Sequence, residues 1–280
     1  MSPGERAEAR IAELGITSPQ ELDIELIAMD ACMTVVYEDL DGCEATLIGV
    51  GDRAIATIKP SPSRGRQRFS VAHELGHWLM HRGLSFRCRV DDMDLNFSSD
   101  QVKEREADTF ASHLLMPTPM FYPALQSFGT PDFLDLEKMA SAFDTSLLAT
   151  CMRLTDINTL PVVLACYSAT GLRWHKAAGD IPRRWFLHQQ LDDDSFAYAL
   201  LQGGRARSSL GKQSGETWFE NDDADQYELR ECCHPGRNGE VLVILYLESK
   251  MLHARYDPNL GQRRYNEHGS YVVRAKPAAR

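Results

Sequence analysis

The spacing of apolar positions changes several times along the chain, and each change predicts an element. Ser2-Pro3-Gly4-Glu5 and Ser18-Pro19-Gln20-Glu21 each place a hydroxyl three residues before a glutamate, with proline at the first helical position. Two helices are predicted to start there. The first should stop at Gly15, and the second carries Leu22, Leu26 and Met29 at helical spacing. Over residues 33–60 the runs MTVVYEDL, ATLIGVG and RAIATIKP are short, rich in β-formers and split by Asp-Gly and Gly-Asp, which predicts a small antiparallel sheet. Helical spacing returns over residues 66–81 and again over 100–116. Ser98 and Ser99 stand ready to cap the latter helix, and Pro117 stops it.

Residues 133–156 predict two short helices around Asp144-Thr145-Ser146, the outline of a helix-turn-helix. Beyond Pro161 the runs PVVLACYS, GLRWHKAA, YELRECCH and EVLVILYL are strand-like. A helical stretch near 195–202 and a polar loop near 203–216 lie between them. The pattern as a whole predicts an α+β protein in three parts: residues 1–125, a helical module over 126–158, and an α/β domain over 159–280.

Composition narrows the class. The 280 residues are 43% hydrophobic and 25% charged, enough for a sizeable globular core. No apolar run reaches bilayer length, and the charged start MSPGERAEARIAEL lacks an apolar signal region. Seven scattered cysteines then read as reduced thiols, and a cytoplasmic location without membrane contact is expected. A net charge of −10 opposes bulk attraction to nucleic acid.

The chemistry concentrates at VAHELGHWLMH, residues 71–81. His73-Glu74-Leu75-Gly76-His77 is an HExxH sequence. Helical residues four apart share a face, so both imidazoles can reach one ion. Glu74, rotated by about 100°, is placed as a general base rather than a ligand. His81 lies eight residues from His73, roughly 12 Å along the axis, too far to share a zinc ion. It reads as a helix-end histidine, with a substrate-binding role as the secondary option. A third ligand is expected from the next helix, QVKEREADTFASHLLMP, where Glu104 and Asp108 share a face. Glu104 is the expected ligand, and Asp108 would accept the outer N–H of one histidine. Glu106 points elsewhere by helical phase, and His113 is about half a turn away from Glu104.

RQRFSVAHELGHWLMH followed by EREADTFASHLLMP resembles the ImmA/IrrE metallopeptidases over about residues 25–155. The resemblance implies a gluzincin-like zinc site of His73, His77 and Glu104 with Glu74 catalytic. It further implies an endopeptidase that cuts a helix-turn-helix transcriptional repressor, relieving repression in a stress or mobile-element response. Longer members add a helix-turn-helix-like segment and a GAF-like C-terminal domain, and the layout here is similar. Tyr122 and His81 are candidates for the second oxyanion or substrate contact, and RAIATIKP for an edge that receives an extended substrate. Zinc is the expected metal, and Mn²⁺ fits the same donor types.

The remaining features have plainer readings. Residues 132–156 hold five acidic and two basic residues, so direct DNA binding is not expected of the helix-turn-helix outline. Arg64-Gly65-Arg66-Gln67-Arg68 reads as a solvated helix entry. The tail over 249–280, with seven Lys/Arg against two Asp/Glu, reads as a solvated terminus. Cys232-Cys233-His234 reads as strand-end packing, with redox sensing as the minority option. Trp174, His175, Trp185 and His188 are candidates for a C-terminal pocket or simply for core. The alternative to a peptidase is a non-catalytic regulator that binds DNA or a partner and holds zinc for structure.

Overall fold

A computed structural model describes residues 1–81, 86–88 and 99–253. Ser98 and most of the basic tail lie outside these. The chain divides into two compact units, Met1–Ile157 and Asn158 onward.

In the first unit α1 (Pro3–Glu13) begins with the expected capping box. The Ser2 hydroxyl accepts from the Glu5 amide, and the Ser2 amide donates to the Glu5 carboxylate at 2.7 Å. The second box behaves differently. Glu21 accepts from the amides of Thr17 and Ser18 but closes only a short 3-10 turn, Pro19–Glu21. Helix α2 (Ile24–Asp30) restarts after Asp23, whose carboxylate caps Glu25 and Leu26. That restart moves the buried stripe to Ile24, Ile27 and Ala28 and leaves Leu26 and Met29 exposed, contrary to the spacing read from Leu22.

Four strands follow: β1 (Met33–Tyr37), β2 (Ala45–Val50), β3 (Arg53–Ile58) and β4 (Phe86–Cys88), in sheet order β1-β3-β2-β4. The sheet is mixed, not purely antiparallel. Gly51-Asp52 closes a tight β2–β3 hairpin, with Gly51 at φ +62°. The connection over residues 38–44 closes no hairpin. It lets β3 insert between β1 and β2 and pair parallel with β1. RAIATIKP, which contains β3, is therefore interior and offers no free edge.

Helix α3 (Arg64–Met80) packs on the buried sheet face. Leu47, Ala54, Ala56 and Ile58 form one core with Val71, Ala72, Leu75 and Trp78. Helix α4 (Ser99–Leu115) closes that core with Phe110, Ala111 and Leu114. The two helices approach closely at Gly76. A Cβ there would lie 3.1 Å from the Phe110 ring and 3.3 Å from the Ala107 backbone. The glycine within HELGH thus sets the α3–α4 distance.

Helices α5 (Thr118–Gln126), α6 (Phe133–Phe143) and α7 (Leu147–Asp156) complete the unit. The α6–α7 turn docks on the entry of α3. Asp144, in left-handed conformation, pairs with Arg64 and with Arg68 at 3.6 Å, and Gly65 abuts the Thr145 backbone too closely for any side chain. The Arg64–Arg68 cluster is therefore a docking feature rather than a purely solvated entry. The sole cation of α7, Arg153, is 1% exposed. It donates to the Met116 carbonyl, to Thr118 and to Glu8, and contacts the His113 ring. Turned inward in this way, α7 presents no positive charge to solvent for a phosphate backbone.

The second unit is built on a five-stranded antiparallel sheet of order β6-β5-β9-β8-β7. Its strands are β5 (Val162–Ser168), β6 (Gly171–Ala177), β7 (Gly211–Ser214), β8 (Glu228–Pro235) and β9 (Val241–Leu247). Two short helices accompany them, α8 (Phe196–Leu201) and α9 (Ser249–His253). Buried Glu231 accepts from the Ala197 amide and the Trp218 indole. Trp185 packs at a tilt on Phe219 and edge-on against Tyr227 and donates to the Met251 carbonyl, so it belongs to core packing. Cys232 and Cys233 are buried on β8, and burial pushes the Cys233 thiol up to about 11, which disfavours a redox role. No helix among the described residues is long and apolar enough to cross a membrane.

Gly76→Val should strain the α3–α4 contact by about 1–3 kcal/mol. For a unit of this size that lowers the thermal midpoint by roughly 2–4 °C per kcal/mol. Calorimetry reads it, and an unchanged midpoint would show that the close approach imposes no constraint.

Candidate metal centre

Helix α3 places His73 and His77 one turn apart, and both are buried. Helix α4 crosses beside them and brings in Glu104. The three ligand groups form a tight triangle, with one carboxylate oxygen of Glu104 toward each ring. His73 Nε2 lies 3.0 Å from His77 Nε2 and 3.1 Å from Glu104 Oε2, and His77 Nε2 lies 3.3 Å from Glu104 Oε1. This is the one group among the described residues whose ligand atoms lie mutually within 4.8 Å. Donors at 2.0–2.1 Å from a tetrahedral zinc ion are separated by about 3.3 Å. These separations match those of neighbouring donors around one such ion, and among the described residues three groups supply them.

The surroundings prepare these groups as ligands. His73 Nδ1 lies 2.9 Å from Asp108 Oδ1. An ionised carboxylate only accepts, so the neutral imidazole carries its proton on Nδ1 and presents a lone pair at Nε2. For His77, burial outweighs the pull of Glu104 and holds the pKa below the usual histidine value. Burial alone would raise Glu104. The neighbouring His73 and His77 rings outweigh it and hold the carboxyl down at about 2. Two neutral imidazoles and a carboxylate are a borderline-to-hard donor set that suits a divalent ion such as zinc.

Glu74 is fully buried on α3, about 100° around the helix from His73. His81 is half-buried behind His77. Its Nδ1 lies 3.0 Å from His77 Nδ1, and its Nε2 lies 2.9 Å from Glu106 Oε2. It faces the side of the His77 ring opposite the ligand atom. Tyr122, on α5, has its hydroxyl engaged by the Gln126 side chain at 2.8 Å. The His81–Glu106 pair escaped sequence reasoning, although His81 repeats the four-residue step that links His73 to His77.

Residues 29–155 match the peptidase M78 family, described as the IrrE N-terminal-like domain. The chain is 30% identical over 100 residues to the radiation response metalloprotease IrrE of Deinococcus radiodurans, which covers 36% of this chain and 30% of that protein. It is 31% identical over 107 residues to the phage-like element PBSX protein XkdA of Bacillus subtilis, covering 38% and 49% respectively. These matches span less than half the length of either relative. A solved structure titled Mycobacterium tuberculosis transcriptional regulator superposes with a TM-score of 0.59 at 15% identity, covering 90% of this chain and 89% of that one. That likeness is one of fold. Residues 29–155, a little under half of the chain, thus carry the likeness to the IrrE N-terminal-like domain.

Glu104→Ala should weaken zinc binding by at least about tenfold, or about 1.4 kcal/mol. Unchanged affinity in a chelator competition would remove Glu104 from the site. In the metal-free chain His77 should titrate below the ~6.5 of a free imidazole. A depressed histidine pKa stabilises the fold through the neutral form, so that contribution should vanish as pH falls through the lowered value. NMR titration reads this, and a midpoint at or above 6.5 would contradict it.

Proposed function

We propose that this chain is a zinc-dependent endopeptidase whose substrate is a helix-turn-helix transcriptional repressor. Cutting the repressor would relieve repression in a stress or mobile-element response. The observation that carries the peptidase reading is the convergence of His73, His77 and Glu104 with the fully buried Glu74 beside them on α3. A zinc site built only for structure closes its coordination sphere with protein ligands, whereas the group found among the described residues has three. The names of two relatives, a radiation response metalloprotease and a phage-like element protein, support the setting.

In this proposal His73, His77 and Glu104 hold the ion, and Asp108 orients His73. When bound, the ion supplies Lewis acidity and a more acidic water. Glu74 takes a proton from the attacking water and returns it to the leaving amine. Tyr122, whose hydroxyl accepts from Gln126, is proposed as the second oxyanion or substrate contact. The helical module over 126–158 serves as packing, and the second unit as an α/β sensor-like, GAF-like domain. Mn²⁺ satisfies the same donors. The regulator alternative is weakened by the inward-facing Arg153 of α7.

Glu74→Gln should retain zinc and lose cleavage. Expressed in the native host and isolated with its bound proteins, it should hold a helix-turn-helix repressor that the unaltered chain cuts. Full cleavage by E74Q would sink the mechanism. Recovery of uncut partners or DNA alone would favour the regulator reading.

A further inference from the structure

Asp108 explains why His73 presents a lone pair to the cluster. Nothing in HExxH chemistry does the same for His77, yet an ion held at the Nε2 atoms of both rings needs both protonated on Nδ1. The contacts behind His77 supply an answer by elimination. Glu106 Oε2 lies 2.9 Å from His81 Nε2. An ionised carboxylate has no hydrogen to give, so His81 Nε2 is the donor. A neutral His81 then has its lone pair on Nδ1. That atom lies 3.0 Å from His77 Nδ1, so the hydrogen between them belongs to His77. With its proton on Nδ1, His77 has a lone pair on Nε2, the atom in the ligand triangle.

We propose that Glu106 and His81 are positioning residues that lock the tautomer and orientation of His77 for metal binding. This rests on the metal-site reading above. His73 is set by one carboxylate directly, whereas His77 is set by a carboxylate acting through a second imidazole. Helical phase makes both possible. Glu104 and Glu106 are about 200° apart on α4, so they reach α3 on opposite sides of the packed Ala107–Phe110–Leu114 stripe. The same phase that keeps Glu106 away from the ligand triangle directs it to His81. The ring geometry is consistent, with the His77 and His81 centroids 5.2 Å apart and the planes inclined by 52°.

The test uses the full chain and zinc alone, titrated against a chelator, with His81→Phe, His81→Gln and Glu106→Ala. Loss of an outer partner of a ligating histidine costs about 10–100-fold in metal affinity. H81F and E106A should fall in that range. H81Q, whose side-chain carbonyl can accept from His77 Nδ1, should recover part of the loss. Nitrogen-15 shifts of the His77 ring in the metal-free chain separate positioning from general damage. They should report the Nδ1–H tautomer in the unaltered chain and a mixture in H81F. Zinc affinity of H81F within twofold of the unaltered chain, or an unchanged tautomer, would overturn the relay while leaving the metal site standing. An unaltered chain that takes up no zinc would overturn both.

Discussion

The first unit depends on one close crossing. Helix α3 lies against α4 at Gly76, where the Phe110 ring and the Ala107 backbone occupy the space a side chain would need. At that separation a carboxylate on α4 comes within 3.1–3.3 Å of two imidazoles on α3. The core that fixes the crossing is ordinary: a sheet face of alanines, Leu47 and Ile58 below, and Phe110 and Leu114 above. Precision at the cluster is thus inherited from packing of small and aromatic residues on rigid elements.

Three groups that present lone pairs are held together at 3.0–3.3 Å. Left alone they repel or must trap a proton. A divalent cation satisfies all three at once, which makes the arrangement intelligible as a preformed site. Burial lowers His77 and the neighbouring imidazoles lower Glu104, which keeps both in ligand form near neutrality. Around this centre the polar groups have assigned tasks. Asp108 meets His73 Nδ1 at 2.9 Å, and the α6–α7 turn is pinned to the start of α3 through Asp144.

Much of this was legible in the sequence because it depends on local period. HExxH and the Glu104–Asp108 spacing are statements about helical faces, and α3 and α4 fall within two residues of their expected bounds. The strands β5, β6, β8 and β9 were readable as apolar runs. β7, with the sequence GKQS, carries no such signal. What failed depended on tertiary context. Whether Ser18 or Asp23 opened α2 was decided by competing caps, and the choice rotated the buried face. The parallel β1–β3 pairing arose from where a loop led, which no alternation pattern encodes. Helical phase measured against Glu104 turns Glu106 away from the cluster, whereas its partner is a third histidine further along α3.

The central claim is that His73, His77 and Glu104 form a metal centre with an open position. X-ray absorption at the zinc edge, on the zinc-loaded full chain, tests it most directly. The account predicts two imidazole nitrogens and carboxylate or water oxygens at about 2.0–2.2 Å, four donors in all and no sulfur. Sulfur scattering at about 2.3 Å would place the ion on cysteines instead. A closed shell of protein ligands would mean a structural ion, and either result would contradict the account.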